Sequence, residues 1–237
     1  LVCGILLALF VLFFILSQTR GAFLGLGVAV TALLIYLAFR QAHWRKWLFG
    51  ILAVFILLLG LGFANRNSQF VKSLPGSRVF EISFSADSAQ TRLWTWGSAF
   101  KGFKDRPILG WGPENFSTVF DKYFDSRHFV PGRNTETWFD RAHSLVFDYL
   151  AETGIVGFLS YVGIFVFFYL EFFRRGLFRR GDGKFENVTP TKQDSEISAT
   201  EWGLLSGIVF VVPIAHLVQG LALFEVLPIY FNLFLFL

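Results

Sequence analysis

Long apolar runs separated by short polar turns dominate the chain. The runs are Leu1 to Leu16, Ala22 to Phe39, Trp47 to Ala64, the apolar part of Asp140 to Phe173, and the weaker Trp202 to Leu217. About 20 consecutive apolar residues suffice for a helix to cross a bilayer. The pattern predicts an all-α polytopic membrane protein with about five to six transmembrane helices and one long, partly helical external loop.

The long loop, Asn65 to Ala142, is too polar to lie in lipid. Turn signals such as LPGS, RPILGWGPEN and VPGRN interrupt it. Between them, a helix is predicted from Asp87 or Ser88 to about Gly102. A structured loop of this length between spans is usually functional.

The fourth helix is predicted to begin near Asp140 and to run to Phe173, with no charge from Gly154 to Leu170. At 1.5 Å per residue it exceeds a hydrocarbon core of about 30 Å. Its first turns, with His143, are therefore expected above the lipid. Helical spacing puts Asp148 and Glu152 on the side opposite His143, and predicts an interfacial carboxylate pair instead of partners for the histidine.

The predicted organisation has five parts. They are three transmembrane helices at 1–64 with the first truncated, an external or periplasmic loop domain at 65–142, a transmembrane helix with an extended outer end at 143–173, a basic cytoplasmic loop at 174–200, and one or two transmembrane helices at 201–237. In the last part, Val218 to Leu227 is expected to be re-entrant or interfacial. Pro228 to Leu237 is expected to begin a truncated span.

Composition agrees with this class. Hydrophobic residues make up 54% and charged residues 16% of the 237 residues, which excludes a soluble domain. The net charge of +4 does not indicate nucleic-acid binding. The basic residues lie mostly in loops between the predicted spans, where they indicate the orientation of the chain in the membrane. Cys3 is the only cysteine, so no disulfide within the chain and no cysteine metal site is expected. Because methionine is absent and both ends are apolar, we expect a fragment of a longer protein.

Basic residues in the short loops predict the orientation. Arg40 to Lys46 and Arg174 to Lys184 are separated by two spans and so lie on one side, which the positive-inside rule makes cytoplasmic. Arg20, Arg92 and His143 are then expected together on the external face.

Three of these residues are candidates for chemistry. Arg20 either snorkels from a membrane boundary or binds an anion beside a helix N-terminus, which suggests a lipid-linked phosphate. Arg92 lies one helical turn before Trp96. Three interpretations of this helix remain open: a solvated face, an interfacial helix, or a platform on which tryptophans stack against a sugar. His143 has Asp140 three residues earlier, either as a partner that orients the ring or only as an N-cap. The chain has no HExxH, Walker or GxSxG motif.

Three separated blocks resemble the signatures of the O-antigen ligase and polymerase (Wzy_C) superfamily. They are SQTRGAFLGL, TRLWTWGSAFKGFKDRPILGWGPENF and FDRAHSLVFDYLAETGIVG, in the family's order. The chain resembles the C-terminal half of such a protein, part of a larger GT-C-like bundle. Two departures are Ser144, where asparagine is common, and Gln18-Thr19, where serine usually precedes the arginine.

The resemblance implies a bacterial inner-membrane enzyme that moves a glycan from a polyprenyl (undecaprenyl) diphosphate to an acceptor, such as the glycolipid of lipopolysaccharide. It implies that Arg20 and Arg92 hold the donor diphosphate and that His143 is the base or a donor contact. Arg141, Asp140 and Trp96 are the further expected substrate contacts. No metal, cofactor or nucleic acid is expected. The remaining alternatives are a repeat-unit polymerase or protein O-oligosaccharyltransferase, a lipid-linked glycan transporter, and a structural scaffold with a receptor loop.

Overall fold

A computed structural model describes residues 2–17, 19–74, 77, 80, 87–129, 137–174 and 199–221. All regular elements in these ranges are helical. The α-helices are α1 Val2–Ser17, α2 Arg20–Arg40, α3 Arg45–Ala64, α4 Gln69–Ser73, α5 Asp87–Asp105, α6 Phe116–Lys122, α7 Leu145–Arg174 and α8 Ala199–Gly220, with a 3-10 helix at Ser126–His128.

Four of these helices are long and apolar enough to cross a membrane. They are α2, α3, α7 and, in α8, Glu201–Gly220. The prediction of an all-α polytopic membrane protein is therefore confirmed. α1 contains 16 residues, short of a full span. The proposed last span, Pro228 to Leu237, and nearly all of the basic loop at 174–200 lie outside the described residues.

The chain divides into two compact units. The first comprises Leu1–Phe80 and Phe167–His216, and the second comprises Glu81–Val166 and Leu217–Leu237. In the first unit, α2 buries the small-residue face that contains Gly21, Gly25 and Ala29. Such a face lets helices approach closely in lipid.

The core of the first unit is aromatic. Tyr36 of α2 packs with Phe172 and Phe210, and its hydroxyl donates a 2.9 Å hydrogen bond to Ser206. α3, in contrast, buries none of its residues. Trp47, at its start, is 71% exposed, as expected of a tryptophan in a membrane interface belt.

The second unit packs α5, α6 and the beginning of α7 around a separate core. This core comprises Ala99, Phe116, Phe120, Phe139, Ala142 and Ala151, with Trp96 and Phe147 packed against it. Gly102 lets α5 approach α6 closely, because a Cβ there would lie 2.2 Å from Val119 Cγ1. The hydroxyl of Ser98 on α5 donates to the carbonyl of Tyr123, which follows α6, at 2.7 Å.

The structure differs in two respects from the helix predicted to begin near Asp140 and to run to Phe173. α7 begins at Leu145, so residues 140–144 are not helical. The helix is also broken at Gly154, where φ is 67° and ψ is −167°. A break of this kind exposes the N–H and C=O groups of the adjoining turns, which need other partners.

A remote turn, residues 106–112, supplies those partners. The N–H groups of Trp111 and Gly112 donate to the carbonyls of Ala151 and Glu152, at 3.0 and 2.8 Å. On the other side of the break, the carbonyls of Pro107 and Ile108 accept from the N–H groups of Ile155 and Val156. The turn thus satisfies the backbone at both sides of the break.

Two glycines make this arrangement possible. A Cβ at Gly154 would lie 2.4 Å from the carbonyl oxygen of Ile108, and one at Gly110 would lie 2.4 Å from the carbonyl of Glu152. Both residues also have positive φ, 67° and 69°, which glycine adopts without strain. The PILGWG and ETGIVG segments therefore encode one structural joint.

Candidate functional site

His143 lies in the non-helical segment immediately before α7. Its φ is 55°, a left-handed conformation that is costly for a residue with a side chain. Among the described residues, the only other non-glycine with positive φ is Glu114. Such strain concentrates at functional sites, where the surrounding structure imposes it.

The ring of His143 is oriented by a backbone carbonyl. Nδ1 lies 3.2 Å from the carbonyl oxygen of Arg141, and the ring contacts the edge of Phe139. Because a carbonyl oxygen can only accept, Nδ1 carries the proton in this contact. In the neutral imidazole the lone pair is then on Nε2, as a base requires.

The helix that carries Arg92 is bonded to the residue preceding His143. On α5, Trp96 lies one turn after Arg92, as predicted. The indole N–H of Trp96 donates to the carbonyl of Ala142 at 2.9 Å, and its ring stacks on Phe147. Arg92 is half-buried. The structure thus brings two of the predicted regions together within the second unit.

Arg141, two residues before His143, borders a cavity of about 270 Å³. Its guanidinium forms ion pairs with Glu114 and with Glu152, whose Oε1 lies 3.8 Å from Nη1. The contact with Glu114 raises the pKa of Arg141, so the guanidinium is always charged. Arg141 is thereby held in place beside the cavity.

Asp148 and Glu152 line the same cavity. The prediction placed them on the side of the helix opposite His143 and did not make them its partners. That prediction assumed that His143 belongs to the helix. Instead, Asp148 Oδ1 accepts the N–H of Ala142 at 2.5 Å, and so holds the backbone next to His143. Glu152 Oε2 accepts the N–H of Glu114 at 3.1 Å.

Asp140 is exposed and lies outside α7, so its alternative role as an N-cap is wrong. The carbonyl of Arg141 provides the ring contact that was expected of Asp140. A substrate contact by Asp140 stays a prediction, as it does for Trp96 and Arg141.

Arg20 is the first residue of α2 and belongs to the first unit. Thr19 precedes it in an extended conformation and its side chain accepts no capping hydrogen bond, while the N–H of Phe23 donates to the carbonyl of Thr19 at 3.2 Å. Arg20 is exposed at this helix N-terminus. Its predicted role in binding an anion stays a prediction.

His128 was missed by the sequence reasoning. It is fully buried among Trp94, Phe120, Phe124 and Phe139, and both ring nitrogens lack a hydrogen-bond partner. Burial lowers the pKa of His128. The charge of Asp125 acts to raise this pKa, and the charge of Arg127 lowers it further. The ring is therefore held in its neutral form in the core of the second unit.

Within the ranges that the structure describes, no group of three or more His, Cys, Asp or Glu side chains is placed to hold a metal ion. The charges around the cavity are instead arranged as ion pairs and backbone hydrogen bonds.

The fold and this site define a polytopic membrane protein with a polar helical insertion that presents a histidine, an arginine and buried carboxylates. The O-antigen ligase (Wzy_C) family model matches residues 5–162, so the chain belongs to the O-antigen ligase family. Members of this family are membrane glycosyltransferases or ligases, which makes the chain a member of that enzyme class. No curated protein and no solved structure matches the chain significantly.

Proposed function

We propose that the protein transfers a glycan from a polyprenyl diphosphate carrier to an acceptor hydroxyl, on the external face of the bacterial cytoplasmic membrane. The family gives the general class of reaction. The most direct support for the proposed chemistry is His143, whose Nδ1 contact with a carbonyl leaves the lone pair of the neutral ring on Nε2.

In the proposed reaction, the acceptor oxygen attacks the anomeric carbon and its proton passes to Nε2 of His143. The bond between the anomeric carbon and the diphosphate oxygen breaks, and the lipid diphosphate leaves. Attack opposite the leaving group inverts the anomeric centre. The diphosphate is already an activated leaving group, so the reaction consumes no nucleotide.

Arg92 and Arg20 are proposed to neutralise the negative charge that develops on the diphosphate. Guanidinium groups suit this role because they remain charged and bind phosphate bidentately. For Arg92, the support is its position one turn before Trp96, which bonds to Ala142. For Arg20, the support is its position at the first residue of a membrane helix, where the helix N-terminus favours anions.

The external location is proposed from the distribution of basic residues in the short loops. The break in α7 is compatible with this external location of the site. Residues 155–174 alone reach about 30 Å at 1.5 Å per residue, the thickness of the hydrocarbon core. The preceding segment of α7, with the cavity, would then stand outside the lipid.

Binding of the donor tests this proposal against a transporter or a scaffold. The full chain in lipid nanodiscs is titrated with undecaprenyl diphosphate. We expect Arg92→Ala to weaken binding by about tenfold or more, the loss of one charge-assisted contact. Lys101→Ala, which removes an exposed cation from the same helix, is the matched control. Equal binding by Arg92→Ala and wild type would refute the role of Arg92, and absence of binding by wild type would favour a scaffold.

Product analysis distinguishes the acceptors. Proteoliposomes supplied with a lipid-linked glycan would release undecaprenyl diphosphate and glycosylate a glycolipid if the protein is a ligase. Elongation of the donor glycan itself would identify a polymerase, and glycosylation of a protein would identify an O-oligosaccharyltransferase. Movement of the donor across the bilayer without release of the diphosphate would identify a transporter.

A further inference from the structure

The turn at 106–112 carries an apolar tip, residues 107–109, that the described part of the protein leaves exposed. Ile108 and Leu109 are 64% and 73% exposed. Pro107 is exposed as well. Single apolar residues are common on protein surfaces, but adjacent ones form a patch of the kind that marks an interaction site. The partner of this patch follows from where the tip lies and from the charges beside it.

The backbone fixes the tip in its exposed position. The N–H of Gly110 donates to the carbonyl of Arg106 at 3.0 Å, which closes the turn. The carbonyls of Pro107 and Ile108 are engaged by N–H groups of α7. Because the turn is bonded both to itself and to α7, the apolar side chains cannot fold inward unless these hydrogen bonds break.

The same bonds fix the depth of the tip along α7. The carbonyls of Pro107 and Ile108 accept from Ile155 and Val156, the first residues after the break. Residues 155–174 match the thickness of the hydrocarbon core, about 30 Å, so a span made of them begins at the boundary of that core. The tip therefore lies where hydrocarbon meets headgroups. Val156 is itself exposed, which makes the tip continuous with the apolar surface of the span.

Basic side chains flank the tip. Lys104 and Arg106 are exposed, and the guanidinium of Arg106 lies 4.2 Å from the ring centre of Trp111. Asp105, the carboxylate between them, is paired with Lys122 at 2.5 Å. Three cations thus stand against one carboxylate beside the apolar tip. Apolar side chains at the lipid boundary with cations beside them are the arrangement that binds anionic headgroups.

We propose that the apolar tip docks on the bilayer that α7 spans. Ile108 and Leu109 insert among the acyl chains, and Lys104 and Arg106 contact anionic lipid headgroups. In the reaction proposed above, this contact holds the second unit at the level where the diphosphate of a lipid carrier lies. That consequence rests on the proposed function, whereas the membrane contact itself requires only that α7 crosses the bilayer.

The accessibility of a spin label in the full chain tests the contact. Cys3→Ser removes the one cysteine of the chain, so Leu109→Cys carries a single nitroxide at an exposed position. In nanodiscs of phosphatidylcholine and phosphatidylglycerol, collisions of the label with oxygen, which concentrates in lipid, are compared with those of a water-soluble nickel chelate. We expect the label at position 109 to be more accessible to oxygen than to the chelate.

Phe129→Cys is the matched control, because Phe129 is also an exposed apolar residue of the second unit, at 67%. It follows His128, whose ring contacts Trp94. Trp94 is separated from Asp105, at the end of α5 next to the turn, by about 16 Å of helix at 1.5 Å per residue. The label at position 129 is expected to be more accessible to the chelate. Unfolding midpoints equal to that of wild type will show that both labelled proteins fold.

The headgroup contact is tested by the double substitution of Lys104→Gln with Arg106→Gln. Addition of phosphatidylglycerol to nanodiscs of phosphatidylcholine alone is expected to shift the label at position 109 toward oxygen. The double variant is expected to lose this shift. Arg127→Gln should keep it, because Arg127 is an exposed cation that lies over Trp94, away from the turn.

The membrane contact is overturned if the label at position 109 is more accessible to the chelate, which places the tip in water. Shielding from both reagents also overturns it and indicates a protein partner. A label at position 129 as deep in lipid as that at position 109 would show that the contact does not belong to the tip. Absence of the shift with phosphatidylglycerol, or its persistence in the double variant, would refute the headgroup contact.

These readouts are independent of glycan transfer. A protein whose tip lies in lipid but which transfers no glycan would refute the proposed function and leave the membrane contact standing. A protein that transfers glycan while the label at position 109 lies in water would refute only the membrane contact.

Discussion

The indole N–H of Trp96 donates a 2.9 Å hydrogen bond to the carbonyl of Ala142. This bond joins the helix of Arg92 to the residue that precedes His143, across 46 positions of the chain. This contact thus links the segments that carry two residues proposed for opposite ends of one reaction, within one compact unit.

Replacement of Trp96 by Phe tests the importance of this contact. Phe keeps an aromatic ring against Phe147 but removes the donor, which costs about 1 kcal/mol of stability. We expect glycan transfer in proteoliposomes to fall by about tenfold or more, because small misplacements of catalytic groups are costly. Trp138→Phe is the control, since it removes an exposed indole bond to Asp121 in the same unit. Equal transfer by the two variants would show that the contact does not position the site.

The joint at Gly154 predicts a large difference between two glycines of one helix. Gly154→Ala places a Cβ 2.4 Å from the carbonyl oxygen of Ile108 at a φ of 67°. The backbone strain alone costs about 1–3 kcal/mol, and the clash adds to it. Gly163→Ala meets no atom within 4 Å and should be neutral or stabilising by about 0.5–1 kcal/mol.

Thermal unfolding in detergent measures both variants, and limited proteolysis reports on the turn at 106–112. We expect Gly154→Ala to unfold at lower temperature and to be cut in this turn. If Gly154→Ala is as stable and as resistant as Gly163→Ala, the turn does not form the joint.

Acid should destabilise the second unit through His128. Its pKa is lowered in the folded protein, so the unfolded chain binds the proton more readily. The contribution of neutral His128 to the free energy of unfolding is therefore complete above the ordinary histidine pKa of about 6.5, and it is lost as the pH falls below that value. Asp125 and Arg127, the charged neighbours, act in opposite directions on this pKa.

Unfolding midpoints at neutral and mildly acidic pH measure this effect. We expect His128→Phe, which keeps a ring in the aromatic cluster, to lose less stability on acidification than wild type. His43→Phe, at an exposed histidine, should behave like wild type. The same acid sensitivity in His128→Phe and wild type would assign the effect to other groups.

Hydropathy and helical spacing were sufficient to predict four helices long and apolar enough to cross a membrane, and the placement of Arg92 and Trp96 one turn apart. They failed at the beginning of α7, because the break depends on hydrogen bonds from a turn more than 40 residues earlier. A signal was available in Gly154, an isolated glycine within a helical pattern, and in the glycines of PILGWG.

The error had consequences for the site. Once His143 was assigned to the helix, Asp148 and Glu152 fell on its far side. The left-handed backbone of His143 cannot be inferred from the residue type, since the surrounding contacts impose it. The cavity likewise depends on Glu114 and Arg141, which meet only in the folded chain.

Glycan transfer by His143→Asn tests the central claim most directly. Asparagine tolerates the left-handed φ of this position, so the variant should fold, but its amide cannot accept the proton as imidazole does. Full-length wild type and variant, in proteoliposomes with an undecaprenyl diphosphate-linked glycan and a glycolipid acceptor, are compared by release of undecaprenyl diphosphate. We predict release by wild type and a loss of about a hundredfold or more in His143→Asn, with a comparable loss in Arg20→Ala. Release by His143→Asn at the wild-type rate would contradict the account.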